Sequence, residues 1–95
     1  MVVDAQGPPY FGLGHIPGAV NIPPHQVARW AGMRVGSEDV PVVVYGGSGS
    51  SNAFIVADQL VRLGFKDVAV YEDGLEDWIA AGLAIASEDT EEQPH

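Results

Sequence analysis

Three serines, one histidine and one aspartate are the residues of this chain whose types and positions together could support group transfer. Ser48, Ser50 and Ser51 lie in the run Gly46-Gly47-Ser48-Gly49-Ser50-Ser51, while His15 and Asp4 each stand near the end of a strand-like segment. A serine nucleophile needs a base and a group to orient that base, and His15 with Asp4 is the pair that could supply them. The run lacks the G-x-S-x-G form of a nucleophile elbow. The serines are therefore read as loop and cap residues that satisfy backbone groups. His15 has no partnered base beside it in Gly14-His15-Ile16-Pro17-Gly18-Ala19. It is read as a brace that hydrogen-bonds neighbouring loop backbone. In the same cluster Gly14 and Gly18 permit tight turns, Pro17 stiffens the loop and Ile16 can plug the core.

The run from Gly46 to Ser51 also suggests binding without chemistry. The apolar, β-branched segment Val42-Val43-Val44-Tyr45 leads straight into it, and a helix with apolar residues at helical spacing follows, from about Asn52 to Leu63. Strand, small-residue loop and helix N-terminus aim several backbone N–H groups at one spot, which suits a small anion. The run holds no Lys, Arg, His, Asp or Glu, so the backbone would hold that anion unaided. The lysine of a P-loop is missing. Gly47-Ser48-Gly49 with Asn52 gives G-x-G-x-x-N, a poor match to a dinucleotide fingerprint. The chain contains no cysteine, which removes disulfides, thiolate metal sites and thiol mechanisms. His15, His25 and His95 are widely separated, without metal-ligand spacing, so neither a metal nor a cofactor is expected.

The elements that must position these residues alternate along the chain. Val2–Ala5, Ala19–Ile22, Val40–Tyr45 and Val68–Tyr71 read as strands. Pro23-Pro24 opens a helix from His25 to about Ala31, which Gly32 weakens or ends. Gln6–Gly14, rich in Gly and Pro, reads as a loop. Ser51 or Asn52 can cap the helix that follows the Gly/Ser run, and Gly64 can supply its left-handed stop. A short helix spans Leu75 to Ala81, with Gly82 after it. Trp30 and Trp78 fall at helical core spacing. Strands alternating with helices through short loops predict an α/β domain with a parallel sheet, right-handed crossovers and helices on both faces. Binding sites in such sheets lie beyond the carboxyl ends of the strands, where the loop after Tyr45 sits.

The bulk numbers agree with one small domain. A 95-residue chain can bury enough surface for a single core. The net charge is −9, with only Arg29, Arg34, Arg62 and Lys66 positive, which argues against nucleic acid and anionic membrane surfaces as partners. No apolar run approaches a membrane span, and the start shows no charged leader before an apolar stretch, so a cytoplasmic location is expected. Residues 1–86 are assigned to the folded domain, and the acidic segment 87–95 to a disordered tail.

Taken together, these clusters resemble the rhodanese-like family. Val2-Val3-Asp4 is similar to the strand opening its "(V/I)-D-V-R" segment. Tyr10 and Gly14-His15-Ile16-Pro17-Gly18-Ala19-Val20-Asn21-Ile22-Pro23 are similar to its "GHIPGAxNxP" signature, which makes Asp4, Gly14, His15, Pro17 and Gly18 structural signature residues. Leu63-Gly64-Phe65 and Tyr71-Glu72-Asp73-Gly74-Leu75-Glu76-Asp77-Trp78, with Gly82, resemble its closing "LGF…Y-x-G-G-x-x-x-W…G" pattern. The resemblance covers about residues 1 to 84. It implies a family that transfers a sulfane sulfur through a cysteine persulfide, the cysteine opening the loop after the central strand. Its place here is Gly46. The family's basic loop residues fall on Gly47 and Ser51, and the arginine after the first-strand aspartate becomes Gln6. A related phosphatase branch uses a loop cysteine and a loop-ending arginine, both missing here. Family domains also usually carry a strand and helix ahead of the segment matching Val2, so an N-terminally short domain with one bare sheet edge is expected. The resemblance thus implies a catalytically inactive rhodanese-like domain, a binding or regulatory module for a small anion or a protein partner. The alternative is a sulfurtransferase- or phosphatase-like enzyme with a non-cysteine or substrate-assisted mechanism.

Overall fold

Four short valine-rich segments pair into one parallel sheet in the computed structural model, which describes residues 1–47 and 49–87. The strands are β1 (Val2–Asp4), β2 (Val20–Asn21), β3 (Val42–Tyr45) and β4 (Val68–Tyr71). Their spatial order is β2-β1-β3-β4. The register sets Asp4 beside Asn21 on one side and Tyr45 on the other, and Tyr45 beside Tyr71. The polar ends of the four strands therefore line up along one edge. The helices are α1 (Pro8–Leu13), α2 (Val27–Arg34, entered through a 3₁₀ turn at Pro24–Gln26), α3 (Asn52–Arg62) and α4 (Gly74–Ala80).

The side-chain period of two along each strand separates two cores. Val3, Val42 and Val44 face α2 and α3 and pack with Val27, Ala31, Val56 and Leu60. Leu60 and Val56 are fully buried, and each such side chain contributes roughly 1.5–3 kcal/mol of hydrophobic stabilisation. On the opposite face Tyr45 packs with Ile16, Ala19 and Leu75, and Phe11 of α1 and Trp78 of α4 lie against them. Helices thus cover both faces of a single α/β domain, as expected. The second cover is partial. Val43, which shares the Tyr45 face, is 40% exposed although it stands in a central strand.

Several local expectations need correction. Residues 8–13 form α1 rather than a loop, because Pro8 and Pro9 occupy the first helical positions, where a missing N–H costs nothing. The N–H groups of Tyr10 and Phe11 then close on Gly7 O. Gly32 does not end α2, which continues to Arg34. The stop comes at Gly36, whose φ of +92° lets its N–H reach back to Ala31 O. Gly64 makes the same turn after α3, at φ +105°. Ser51 does occupy the N-cap of α3, as expected, but without a side-chain hydrogen bond; one residue earlier, Ser50 Oγ accepts from Asn52 N at 3.2 Å. Trp30 and Trp78 sit at the core margins, partly buried, with indole N–H groups bound to Gln26 Oε1 and Ala84 O. Residues 88–95, most of the expected tail, lie outside the described residues. Among the described residues no helix is long and apolar enough to cross a membrane.

Candidate functional site

The loop after β3 is built from its two ends. Gly46 O accepts from Leu75 N at 3.0 Å, which ties the start of the loop to α4. Ser50 N donates to Gly47 O at 3.0 Å and closes a four-residue turn, with Gly49 at φ +78° where a Cβ would be strained. Asn52 Nδ2 donates to Ala5 O, fixing the first turn of α3 to the end of β1. Gly46, Gly47, Gly49, Ser50 and Ser51 thus gather at the carboxyl end of the sheet, while Ser48 lies outside the described residues. The N–H groups of Gly47, Gly49, Ser51 and Ala53 donate to no acceptor among the described residues. Gln6, Gly7, Tyr10, Gly47, Ser50 and Asn52 line an open recess of about 420 Å³ beside the loop.

Gly46 is buried, yet its φ is not in the left-handed region. A Cβ built there would meet Ala53 N at 3.7 Å and the Cβ atoms of Ala53 and Asn52 at 3.9 Å, ordinary contact distances. The fold therefore leaves room for a side chain that this sequence does not supply. At the neighbouring position a carboxylate intervenes: Glu76 Oε1 is 3.9 Å from where a Cβ on Gly47 would sit. Sequence reasoning missed Glu76. It sits 29 residues downstream of Gly47, and only the packing of α4 against the loop brings it there.

Asp4, Gly14, His15, Pro17 and Gly18 form a second group beneath the loop. Ala19 N donates to Ile16 O at 3.0 Å across Pro17 and Gly18, and Gly18 takes φ +84°, a proline–glycine turn of type II form. His15 is 2% exposed and stacks on Phe11 at 3.8 Å, with Nδ1 2.8 Å from Phe11 O. Its backbone bridges to Ala86 in both directions. Asp4 is fully buried and forms no ion pair with Lys or Arg among the described residues. Its compensation comes from neutral donors: Tyr45 Oη at 2.5 Å, Gln6 N at 2.7 Å and Gln6 Nε2 at 2.9 Å. Gln6 Nε2 also reaches Gly14 O, so the residue in place of the family's arginine braces Asp4 to the turn. Tyr45 Oη accepts from Ile16 N at 2.9 Å. Burial, then the bond to Asp4, holds the Tyr45 phenol well above its ordinary pKa, although the Ile16 N–H pulls the other way. It remains a proton donor in the folded protein. Asp4 thus serves Tyr45 and Gln6, and among the described residues it makes no hydrogen bond to His15.

Residues 1–81 match the family profile described as Rhodanese-like domain. The chain belongs to the rhodanese-like domain family. Thiosulfate sulfurtransferase GlpE of Pseudomonas putida is 40% identical over 82 residues, which cover 84% of this chain and 70% of that protein. The uncharacterized protein YibN of Escherichia coli K12 is 33% identical over 86 residues, covering 90% of this chain and 59% of that one. A crystal structure of thiosulfate sulfurtransferase from Pseudomonas aeruginosa superposes with a TM-score of 0.84 at 30% identity, over 92% of this chain and 16% of that one. The Rhodanese_3 like domain of the Anabaena Alr3790 protein shares the fold at a TM-score of 0.80, over 90% of this chain and 97% of that one. This rhodanese-like domain is a variant without the active-site cysteine, since the chain holds no cysteine at all. Among the described residues no group of three His, Cys, Asp or Glu is placed to hold a metal.

Proposed function

We propose that this rhodanese-like domain is catalytically silent and acts as a binding or regulatory module, its loop offering backbone N–H groups to a small anion or to an acidic side chain of a partner. The observation that carries the reading is Gly46. In persulfide chemistry a thiolate attacks the outer sulfur of thiosulfate; an S–S bond forms to the protein, the S–S bond of thiosulfate breaks, and sulfite leaves with the electron pair. Glycine has no atom that can make that bond. The hydroxyl of Ser50 does not replace it, because Asp4 and His15 are engaged beneath the loop. What supports retained binding is that the loop keeps its turn, its open N–H groups and a recess beside them.

The test is sulfur transfer from thiosulfate to cyanide. The unmodified protein is expected to give no turnover above buffer, and Gly46→Cys to accept one sulfur atom, seen by mass. Turnover by the unmodified protein that Ser50→Ala abolishes would end the reading. Titration with phosphate, sulfate and thiosulfate, followed at the amide signals of residues 46–53, reports the binding half separately.

A further inference from the structure

Four basic residues serve a chain of net charge −9, and their distribution is uneven. Arg62 pairs with Asp58 at 2.8 Å and Lys66 with Asp39 at 3.2 Å, both on exposed surface. Arg29 and Arg34 pair with no carboxylate among the described residues. Both instead stack on one indole: Arg34 lies 4.3 Å from the Trp30 ring centroid and Arg29 lies 4.9 Å from it. Arg34 is partly buried and held from below, Nη1 donating to Asn21 O. A guanidinium fixed by an aromatic face and one backbone acceptor keeps further N–H groups directed outward in a set plane.

Arg34 stands at the end of a groove. The recess beside the Gly46 loop shares Gly7 and Asn52 with a second one of about 430 Å³, walled by Pro23, Pro24 and Ile55. That one shares Pro8, Pro23 and Gln26 with a third of about 270 Å³, lined also by Phe11, Trp30 and Arg34. Prolines have no N–H, so the walls offer apolar contact, while Asn21 and Gln26 offer side-chain hydrogen bonds. A groove with prolines and aromatics along it and the Arg34 guanidinium at its end, with Arg29 on the same indole, matches an extended chain bearing a carboxylate. At physiological salt the Debye length is about 8 Å, so the local arginine pair decides such a contact more than the distant acidic surface does.

We infer that this groove docks an extended acidic peptide segment of a partner protein, with a carboxylate on Arg34, whose charge Arg29 on the same indole reinforces, and apolar residues along Pro8, Pro23 and Pro24. The near end of the groove is the recess beside the Gly46 loop, so the two bindings are told apart by their readouts: residues 46–53 for the anion, and Trp30, Gln26 and Asn21 for the peptide. The probes are acetyl-Pro-Leu-Glu-Pro-Glu-amide and the same peptide with glutamine for both glutamates, titrated into full-length ¹⁵N-labelled protein. The acidic peptide is expected to shift the Trp30 indole and the Gln26 and Asn21 side-chain signals saturably. The glutamine peptide should bind about tenfold more weakly or worse. Arg34→Gln should remove most of that preference and Arg62→Gln none of it. Arg29→Gln, which leaves the Arg34–Asn21 bond in place, reports the same preference if Arg34→Gln disturbs the fold through Asn21. Equal response to both peptides, no response at Trp30, or an Arg34→Gln effect matched by Arg62→Gln overturns the inference. Trp30 signals that move with protein concentration or salt before peptide is added put a second copy or the chain's own acidic end there, and overturn it too.

Discussion

Placing cysteine at position 46 is the most informative perturbation, because the structure fixes both its stability cost and its reactivity. The backbone there accepts an L side chain without strain, and the nearest atoms to the new Cβ are at 3.7–3.9 Å. No overpacking penalty is expected. Removing a glycine from a position with compatible φ lowers the entropy of the unfolded chain and stabilises by about 0.4–1 kcal/mol. For a domain of this size that raises Tm by roughly 2–8 °C under reducing conditions. The new side chain would point towards Ala53 N in the first turn of α3, where the helix N-terminus favours a thiolate. Glu76 at the loop mouth opposes this, so Gly46→Cys combined with Glu76→Gln should have the lower thiol pKa of the two variants. The assay is thermal unfolding by circular dichroism, paired with the rate of iodoacetamide alkylation against pH. A Tm lowered by several degrees, or an alkylation midpoint that ignores Glu76→Gln, would show that the loop neither admits a side chain nor sits in the field described.

Other expectations follow from the same contacts. Tyr45→Phe strips a donor from the buried Asp4 carboxylate and an acceptor from Ile16 N–H, and should cost about 1–3 kcal/mol in urea unfolding. Because the Tyr45 pKa is raised in the folded state, its contribution is fully present below about pH 10, the ordinary tyrosine value. It is lost as pH rises above that, and Tyr45→Phe should flatten this part of the alkaline loss. Tyr71, pushed up to about 12 by its bond to Asp77, should account for a residual slope that Asp77→Asn removes. Glu76→Gln alone should strengthen the response of the residue 46–53 amides to sulfate, measured by NMR titration, and an unchanged response would put Glu76 outside the anion's field. Gly64→Ala meets a φ of +105° and places a Cβ 2.9 Å from Glu38 Oε2, so a loss of about 1–3 kcal/mol is expected. Adding Glu38→Ala should recover only the contact, leaving the backbone strain visible in the unfolding curve.

The sheet was legible because each strand falls in a short apolar segment containing valine, closed by glycine, proline or a polar turn, and because the alternation of strands and helices leaves few topologies. The long helix α3 was legible from Ala53, Val56, Ala57 and Leu60 at helical spacing. α1 was hidden because Gly7-Pro8-Pro9 reads as loop punctuation, although the same prolines can open a helix once Gly7 O is free to accept. The extent of α2 was hidden because a single glycine costs only about 1 kcal/mol in a helix that packing holds on one face. The pairing of Asp4 with Tyr45 spans 41 residues and depends on the register of β1 against β3, which no local pattern encodes. Glu76 and the Arg29–Trp30–Arg34 stack share that character. Their types are visible in the sequence, but their neighbours are decided by how helices settle on the sheet.

Gly46 has one more consequence, and it concerns inheritance. The glycine triplets GGT and GGC become the cysteine triplets TGT and TGC by a change at one base. Since the backbone at this position suits either residue, neither direction of that change strains the loop's own geometry. Within such a lineage, loss and recovery of the nucleophile are neighbouring genotypes rather than distant ones, and selection can switch the chemistry without rebuilding the scaffold.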